Sequence, residues 1–259
     1  MLYTIFKTIS KNKLERILFE IAYNGANYHG WQKQDNASTI QETIEKNFSV
    51  LLKSNINIFG CGRTDTGVHA EQYFFHVDIS KEQDFDSLLN RLNLMLPSDI
   101  LIKNYEIKNP DFHARFNALS RTYEYRISQK KEPFFNTIFS HISHNIDIDL
   151  MNESCNKLIG FNDFRSFSKV HTDVNNFNCH IYQAFWKQKN HKIVFTIKAN
   201  RFLRNMVRAI VGTMLLVGRN KISLEDFCDI IESKNRSSAG PSVKAKGLFL
   251  TKVDYNSNA

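Results

Sequence analysis

The sequence predicts an α+β fold: two split βαβ units with mainly antiparallel sheets, meeting at a central cleft. Three observations lead to it. Apolar residues recur at every second position in some segments and every three to four in others, so strands and helices are both expected. Over residues 14–109 these segments run strand, helix, strand, strand, helix, strand, the order of a split βαβ unit. Over residues 110–255 the order of elements returns, although the residues themselves do not repeat.

The first unit opens on Arg16 to Tyr23, where Ile17, Phe19, Ile21 and Tyr23 alternate as in a half-buried strand that stops at Asn24-Gly25. Next comes a loop holding Tyr28, His29, Gly30, Trp31 and Gln32, a mixture suited to lining a cleft. Ser38 and Gln41 form a capping-box pattern before a helix that reaches about Lys53, with Ile40, Ile44, Phe48, Leu51 and Leu52 at helical spacing. Strand-like runs at Ile56 to Phe59 and Tyr73 to Ile79 flank a glycine-rich loop. A helix from Phe85 to Leu96 is stopped by Pro97, and Ile100 to Ile107 is a strand. An antiparallel sheet with helices on one face makes residues 14–109 a ferredoxin-like domain.

Residues 110–117 are a connector that carries His113 and Arg115 towards a second ferredoxin-like domain, 110–255. There the strands are Arg121 to Ser128, His180 to Lys187, Ile193 to Ala199 and Leu248 to Tyr255. The helices are Asp149 to Leu158, ended by Gly160, then Phe202 to Val217 and a short one from Ser223 to Ile231. Two long segments, 129–147 and 161–178, interrupt the order; loops of such length are usually functional or mobile. In the second, Phe164, Arg165, Phe167 and Lys169 suit an RNA-contacting loop. The two phenylalanines suit equally well anchors in a small core.

Composition narrows the function. With 259 residues, 42% hydrophobic and 23% charged, and no apolar run of membrane-spanning length, a soluble, non-membrane protein of two modest domains is expected. The formal charge of +8 favours a polyanionic partner, nucleic acid first. Cys61, Cys155, Cys179 and Cys228 are far apart, which suggests neither a zinc knuckle nor a disulfide framework and fits a reducing cytoplasm. Met1 to Lys13 lacks the continuous apolar core of a secretory signal and is expected to fray.

The chemistry concentrates in Gly60-Cys61-Gly62-Arg63-Thr64-Asp65-Thr66-Gly67-Val68-His69-Ala70. Three glycines in eight residues describe a shaped loop that displays Arg63, Asp65 and His69 from a rigid frame. Asp65 is the only carboxylate between Asn55 and Ala70, which disfavours a paired-carboxylate glycosidase and points to a lone nucleophile or base. The string from Gly62 to His69 closely resembles the catalytic loop of tRNA pseudouridine synthases of the TruA type, whose Asp is essential. Thr66 departs from the pattern, since many members carry Ala there.

The resemblance extends over nearly the whole chain, from Ile17 to Tyr255. Gly30-Trp31-Gln32-x-Gln34, Phe112 to Phe116, Arg121-Thr122-Tyr123-Glu124-Tyr125, Asn200 to Arg208 and Gly240 to Leu250 all resemble family segments in order and spacing. It implies that Asp65 is the nucleophile, that Tyr123 packs on the target base and that Arg208 pairs with Asp65 and keeps it ionised. Arg63 would meet the RNA backbone. By helical spacing, Arg201, Arg204 and Arg208 would share one face of this helix, taken from Arg201 to Val217, leaving Arg201 and Arg204 for phosphates. The activity implied by the family is isomerisation of uridine to pseudouridine in the anticodon stem-loop of tRNA, a redox-neutral reaction with no cofactor and no metal, by a homodimer. Leu248 would wall the site. The alternative is a non-catalytic RNA-binding protein with ferredoxin-like domains, but the densest motif is a Gly-Asp loop instead of a Gly-aromatic sheet motif. A third reading, Asp65 as phosphoryl acceptor, lacks further acidic residues in the loop for a magnesium site.

Overall fold

The computed structural model describes residues 14–131, 133–170 and 175–256; Met1 to Lys13, expected to fray, lies outside them. The first half contains β1 (Leu14–Tyr23), α1 (Ile40–Leu52), the two-residue β2 (Phe59–Gly60), β3 (His69–Ser80), α2 (Phe85–Met95) and β4 (Ile100–Lys108). The second contains β5 (Ser120–Ser128), the short β6 (Ser140–His141), α3 (Ile148–Ile159), β7 (Ile181–Lys189), β8 (Lys192–Ala199), α4 (Met206–Val217), α5 (Leu224–Glu232) and β9 (Leu248–Asp254). The fold is α+β with a mostly antiparallel sheet.

The strands of both halves join in one nine-stranded sheet, ordered β4-β1-β3-β9-β5-β8-β7, with β2 on β3 and β6 on β5. The sequence pattern suggests two separate sheets. They merge because the last strand, β9, lies between the halves, parallel to β3 through His69 with Phe249 and Ala70 with Leu250, and antiparallel to β5. Two hydrophobic clusters remain distinct. One gathers Ile17, Phe19, Phe48, Phe75 and Leu92; the other gathers Tyr125, Trp186, Phe195, Ile210 and Phe227. β9 serves both, giving Leu248 to the second and Leu250 and Val253 to the first. The seam between β3 and β9 is therefore where residues of the two halves meet.

The elements form for local reasons. In β1 the alternating residues Ile17, Phe19 and Ile21 are fully buried, and Phe19 stacks on Phe75 with ring centres 5.4 Å apart. α1 is capped by Thr39, whose hydroxyl accepts from Glu42 N, not by Ser38 as the sequence pattern suggests. Gln41 makes no capping box; its amide donates to Glu45 and to Ile58 O, and its carbonyl accepts from Lys33 N. The strand expected at Ile56 to Phe59 is confined to Phe59–Gly60. Phe164 and Phe167 are fully buried, so that segment is anchored in the second core by its aromatic residues. Among the described residues no helix is long and apolar enough to cross a membrane.

α4 departs most from expectation. Asn205 adopts a left-handed conformation with φ 66°, so the helix starts at Met206, and Arg201 and Arg204 precede it. The three arginines do not share a helical face. α4 is nearly buried all round, Arg208 and Leu216 being the exceptions, as befits a core helix. Gly212 lets Pro241 approach its backbone: a Cβ there would lie 1.8 Å from Pro241 O. That packing brings the 240–247 segment across α4 to the seam.

Acid should loosen the first half. His76 is buried, accepts a hydrogen bond from Ala114 N at its Nδ1 and packs edge-on to His113. Burial, helped by His113 and Arg16 and opposed by Asp78, lowers its pKa to about 4. The folded state thus binds its proton later than the unfolded chain, and the His76 contribution is complete above about pH 6.5 and lost as pH falls towards 4. A loss of up to about 3 kcal/mol is expected across that window. Denaturant unfolding at pH 7 and pH 4.5 should show it, and His76→Gln should flatten the difference.

Candidate active site

The Gly60 to Val68 segment leaves β2 and enters β3 at the seam, and the 25–31 segment forms its bed. Trp31 N donates to Thr64 O at 3.2 Å, the Tyr23 hydroxyl bonds Thr64 Oγ1 at 2.9 Å, and Gly67 N donates to Tyr28 O at 3.2 Å. Val68 N closes a turn onto Asp65 O at 3.1 Å. Aromatic rings support this bed: Trp31 stacks on Tyr73 at 4.1 Å, and the Tyr73 hydroxyl donates to Gly62 O. Gly30 has φ +89°, and a Cβ there would stand 2.4 Å from Thr64 O. Gly30→Ala should therefore cost about 1–3 kcal/mol and displace the residue next to Thr64, lowering turnover even where the protein still folds. Thermal unfolding and initial rates of the purified variant check both halves of that statement.

Asp65 is partly exposed at the mouth of this loop. Arg208 Nη1 lies 3.2 Å from Asp65 Oδ2, and Arg204 Nε lies 4.0 Å from Oδ1. Arg208 is itself fixed, since its Nε donates to Val243 O at 2.8 Å and Val243 N donates back to Arg208 O at 3.2 Å. An aspartate of the first half and an arginine of the second are thereby joined across the seam. One carboxylate oxygen is held. Among the described residues the other has only the longer contact to Arg204, an arginine for which helical spacing suggests a phosphate-binding role alone. The competing nucleophile of the loop is Cys61, whose thiol is buried and pushed up to about 11 by desolvation, so it stays protonated and inert near neutrality.

Tyr123 packs against both cores, with its ring edge-on to Phe202 at 5.1 Å. Burial raises its hydroxyl above the ordinary phenol range; the nearby Cys61 and Asp65 add to the rise and Arg121 opposes it. The hydroxyl therefore keeps its proton. Arg63 is exposed and does not reach Asp65: its Nε donates to Gln32 Oε1 at 3.1 Å, and its Nη atoms have no partner among the described residues. Leu248 is buried in the second core.

Two residues gather the site in roles that the sequence does not announce: Arg121, and His69, which is expected to be displayed by the loop but is buried at the start of β3. Arg121 donates from Nη2 to Cys61 O and Arg115 O, and from Nη1 to Ala118 O and Asn200 O. It clamps the foot of the loop to the connector and to the segment before α4. His69 is buried, accepts from Gly25 N at Nδ1 and places Nε2 3.1 Å from Thr137 O and 3.2 Å from Lys246 O. With Nδ1 accepting, Nε2 carries the proton and donates to the carbonyls. Burial lowers its pKa, the two carbonyls opposing. The imidazole is a neutral strut at the seam, stacked on Phe249 at 4.5 Å, and neither of its nitrogens is left for proton transfer. Gln32, from the stretch suited to a cleft, acts as the support of Arg63.

Comparison with known proteins finds relatives over most of the chain. A family model described as tRNA pseudouridine synthase matches residues 21–117 and 155–256. A tRNA pseudouridine synthase A of Parabacteroides distasonis is 45% identical over 243 residues, covering 93% of this chain and 96% of the relative. The proteins of that name from Bacteroides fragilis and Porphyromonas gingivalis are 46% and 44% identical, over 93% and 95% of this chain and 97% and 99% of their own lengths.

Proposed function

This chain belongs to the tRNA pseudouridine synthases, isomerases that convert uridine in tRNA to pseudouridine, and from that premise we propose that it acts on the anticodon stem-loop with Asp65 as its nucleophile. The observation that carries the reading is the pairing across the seam: a lone aspartate whose Oδ2 is held by Arg208 while Oδ1 has no hydrogen bond among the described residues. In the reaction the N1–C1′ bond breaks and a C5–C1′ bond forms. The C5 proton is lost and N1 gains one, so atoms balance without an outside reagent. Asp65 Oδ1 attacks the nucleoside, at base or sugar, and is released when the new bond is made. The ring of Tyr123 stacks on the uracil, and its hydroxyl, which keeps its proton, donates to the rotating base. Arg63, steadied by Gln32 at Nε, offers its two amino groups to the phosphate beside the flipped nucleotide.

The two halves carry the same strand order. Domains 14–109 and 110–255 are each ferredoxin-like: the first orders its strands β4-β1-β3-β2 and the second β9-β5-β8-β7, the same order counted along each half. The enzyme works in the cytoplasm, where four unpaired cysteines remain reduced, and as a homodimer, in which each chain brings its charge of +8 to an RNA longer than one site. The substrate range is tested with two hairpins cut from one unmodified tRNA, the anticodon arm and the D arm. Pseudouridine should form in the first at a rate near that of the whole tRNA and not in the second. Equal product in both would refute the anticodon assignment.

A further inference from the structure

Three arginines stand near the reacting centre, and each is held differently. Arg208 is fixed from two sides, its Nη1 3.2 Å from Asp65 Oδ2 and its Nε donating to Val243 O. Arg63, on the Asp65 loop, turns away and is steadied by Gln32. Arg204 is held by neither kind of bond. Its Nε lies 4.0 Å from Asp65 Oδ1, too far for a hydrogen bond, and its side chain makes no hydrogen bond among the described residues. That side chain is 55% exposed, against 22% for Arg208. The backbone beneath it is pinned. Arg204 O accepts from Lys169 N at 3.0 Å, and the next residue, Asn205, is locked in the left-handed region and donates from Nδ2 to Ser242 Oγ at 2.6 Å. A fixed root thus carries an unanchored charge beside the carboxylate oxygen assigned to react.

That position is not compatible with attack by Oδ1. An attacking atom and its target close to about 3–3.5 Å, so the nucleoside and the Arg204 guanidinium compete for the same space. The existing contact is also weak, because an ion pair beyond hydrogen-bond range with one partner mostly in water contributes little. A phosphate is the better partner, since a guanidinium grips it through two parallel N–H donors. The RNA brings one phosphate on each side of the flipped nucleotide. We propose that Arg204 exchanges partners when RNA binds, leaving Asp65 Oδ1 for one of the two phosphates that flank the reacting uridine. The exchange uncovers the oxygen and seats the nucleotide in one movement. With Arg63 on the first half and Arg204 on the second, the two flanking phosphates are held by one arginine from each side of the seam. The inference rests on the isomerase reading with Asp65 as nucleophile and adds a group to it. The new partner is the substrate's own backbone because the guanidinium already stands 4.0 Å from the reacting oxygen.

The test compares Arg204→Gln and Arg204→Lys with the unaltered protein on an anticodon stem-loop. Arg204→Gln should raise the dissociation constant about fivefold to tenfold and lower the slope of log affinity against log salt by about one. The single-turnover rate at saturating RNA should stay within about threefold, since Arg208 alone then holds Asp65. Arg204→Lys keeps the charge and should restore the slope and part of the affinity. Binding is then measured to stem-loops in which the linkage before or after the target uridine is an uncharged methylphosphonate, the sugar ahead of it being 2′-deoxy in the neutral and the charged version alike. At one of the two linkages neutralisation should weaken the unaltered protein about fivefold to tenfold and Arg204→Gln by less than about twofold, the non-additivity of groups in contact. Additive losses at both linkages would overturn the inference. So would a saturated rate lowered more than about tenfold with affinity unchanged, which would make Arg204 a standing counterion of Asp65. Failure of the unaltered protein to isomerise the unsubstituted stem-loop and whole tRNA would instead refute the underlying reading.

Discussion

Asp65→Asn is expected to reduce single-turnover isomerisation by at least roughly a thousandfold while leaving the tRNA dissociation constant within about threefold of its starting value. The substitution keeps the shape of the side chain and the turn made by Asp65 O and Val68 N. It removes the nucleophilic oxygen and the charge that faces Arg208. Because Asp65 is partly exposed and lies in a loop outside the two cores, its replacement should move the unfolding midpoint little. A rate effect with intact binding and folding separates a group that reacts from one that shapes the loop. Residual activity within about tenfold would contradict the nucleophile assignment.

Arg208→Ala should lower kcat by about a hundredfold or more, and Arg208→Lys should recover little of it. The guanidinium spans two partners, Asp65 Oδ2 at 3.2 Å and Val243 O at 2.8 Å, through different nitrogens. An ammonium group lacks that fork. Alanine leaves Asp65 free to turn away from the base and leaves Val243 O without its side-chain donor, a loss of about 1–3 kcal/mol in stability as well. The decisive comparison is kcat against tRNA affinity. A variant that binds tRNA about tenfold more weakly and turns over normally would make Arg208 a phosphate contact and would dissolve its link to Asp65.

The parts of this molecule that sequence can announce are those written in short-range pattern. Asp65 stands out because glycines and a single acid crowd one loop, and the core strands stand out because Ile17, Phe19 and Ile21 alternate. The seam cannot be read in this way. That β9 runs parallel to β3 through only two paired residues is a fact of three dimensions, and nothing in Leu248 to Asp254 distinguishes an inserted central strand from an edge strand. The helical pattern of α4 extends back to Phe202 because Phe202 to Asn205 continue an apolar and basic rhythm. The left-handed Asn205 cuts it short, a conformation asparagine tolerates but does not advertise. Thr39 takes the place of Ser38 as cap, one hydroxyl residue for its neighbour. In the sequence Arg121 is one face of a strand, and its work, collecting four carbonyls from separate segments, depends on where those segments arrive.

The measurement that bears most directly on the whole account is the reaction itself. Purified protein is incubated with an unmodified full-length tRNA, with no added cofactor or metal, and pseudouridine is mapped by a base-specific chemical stop assay. Stoichiometric pseudouridine confined to the anticodon arm, absent with Asp65→Asn, is the expected result. Tight, salt-sensitive tRNA binding without any pseudouridine would contradict it and leave a binding protein in which Asp65 shapes a loop.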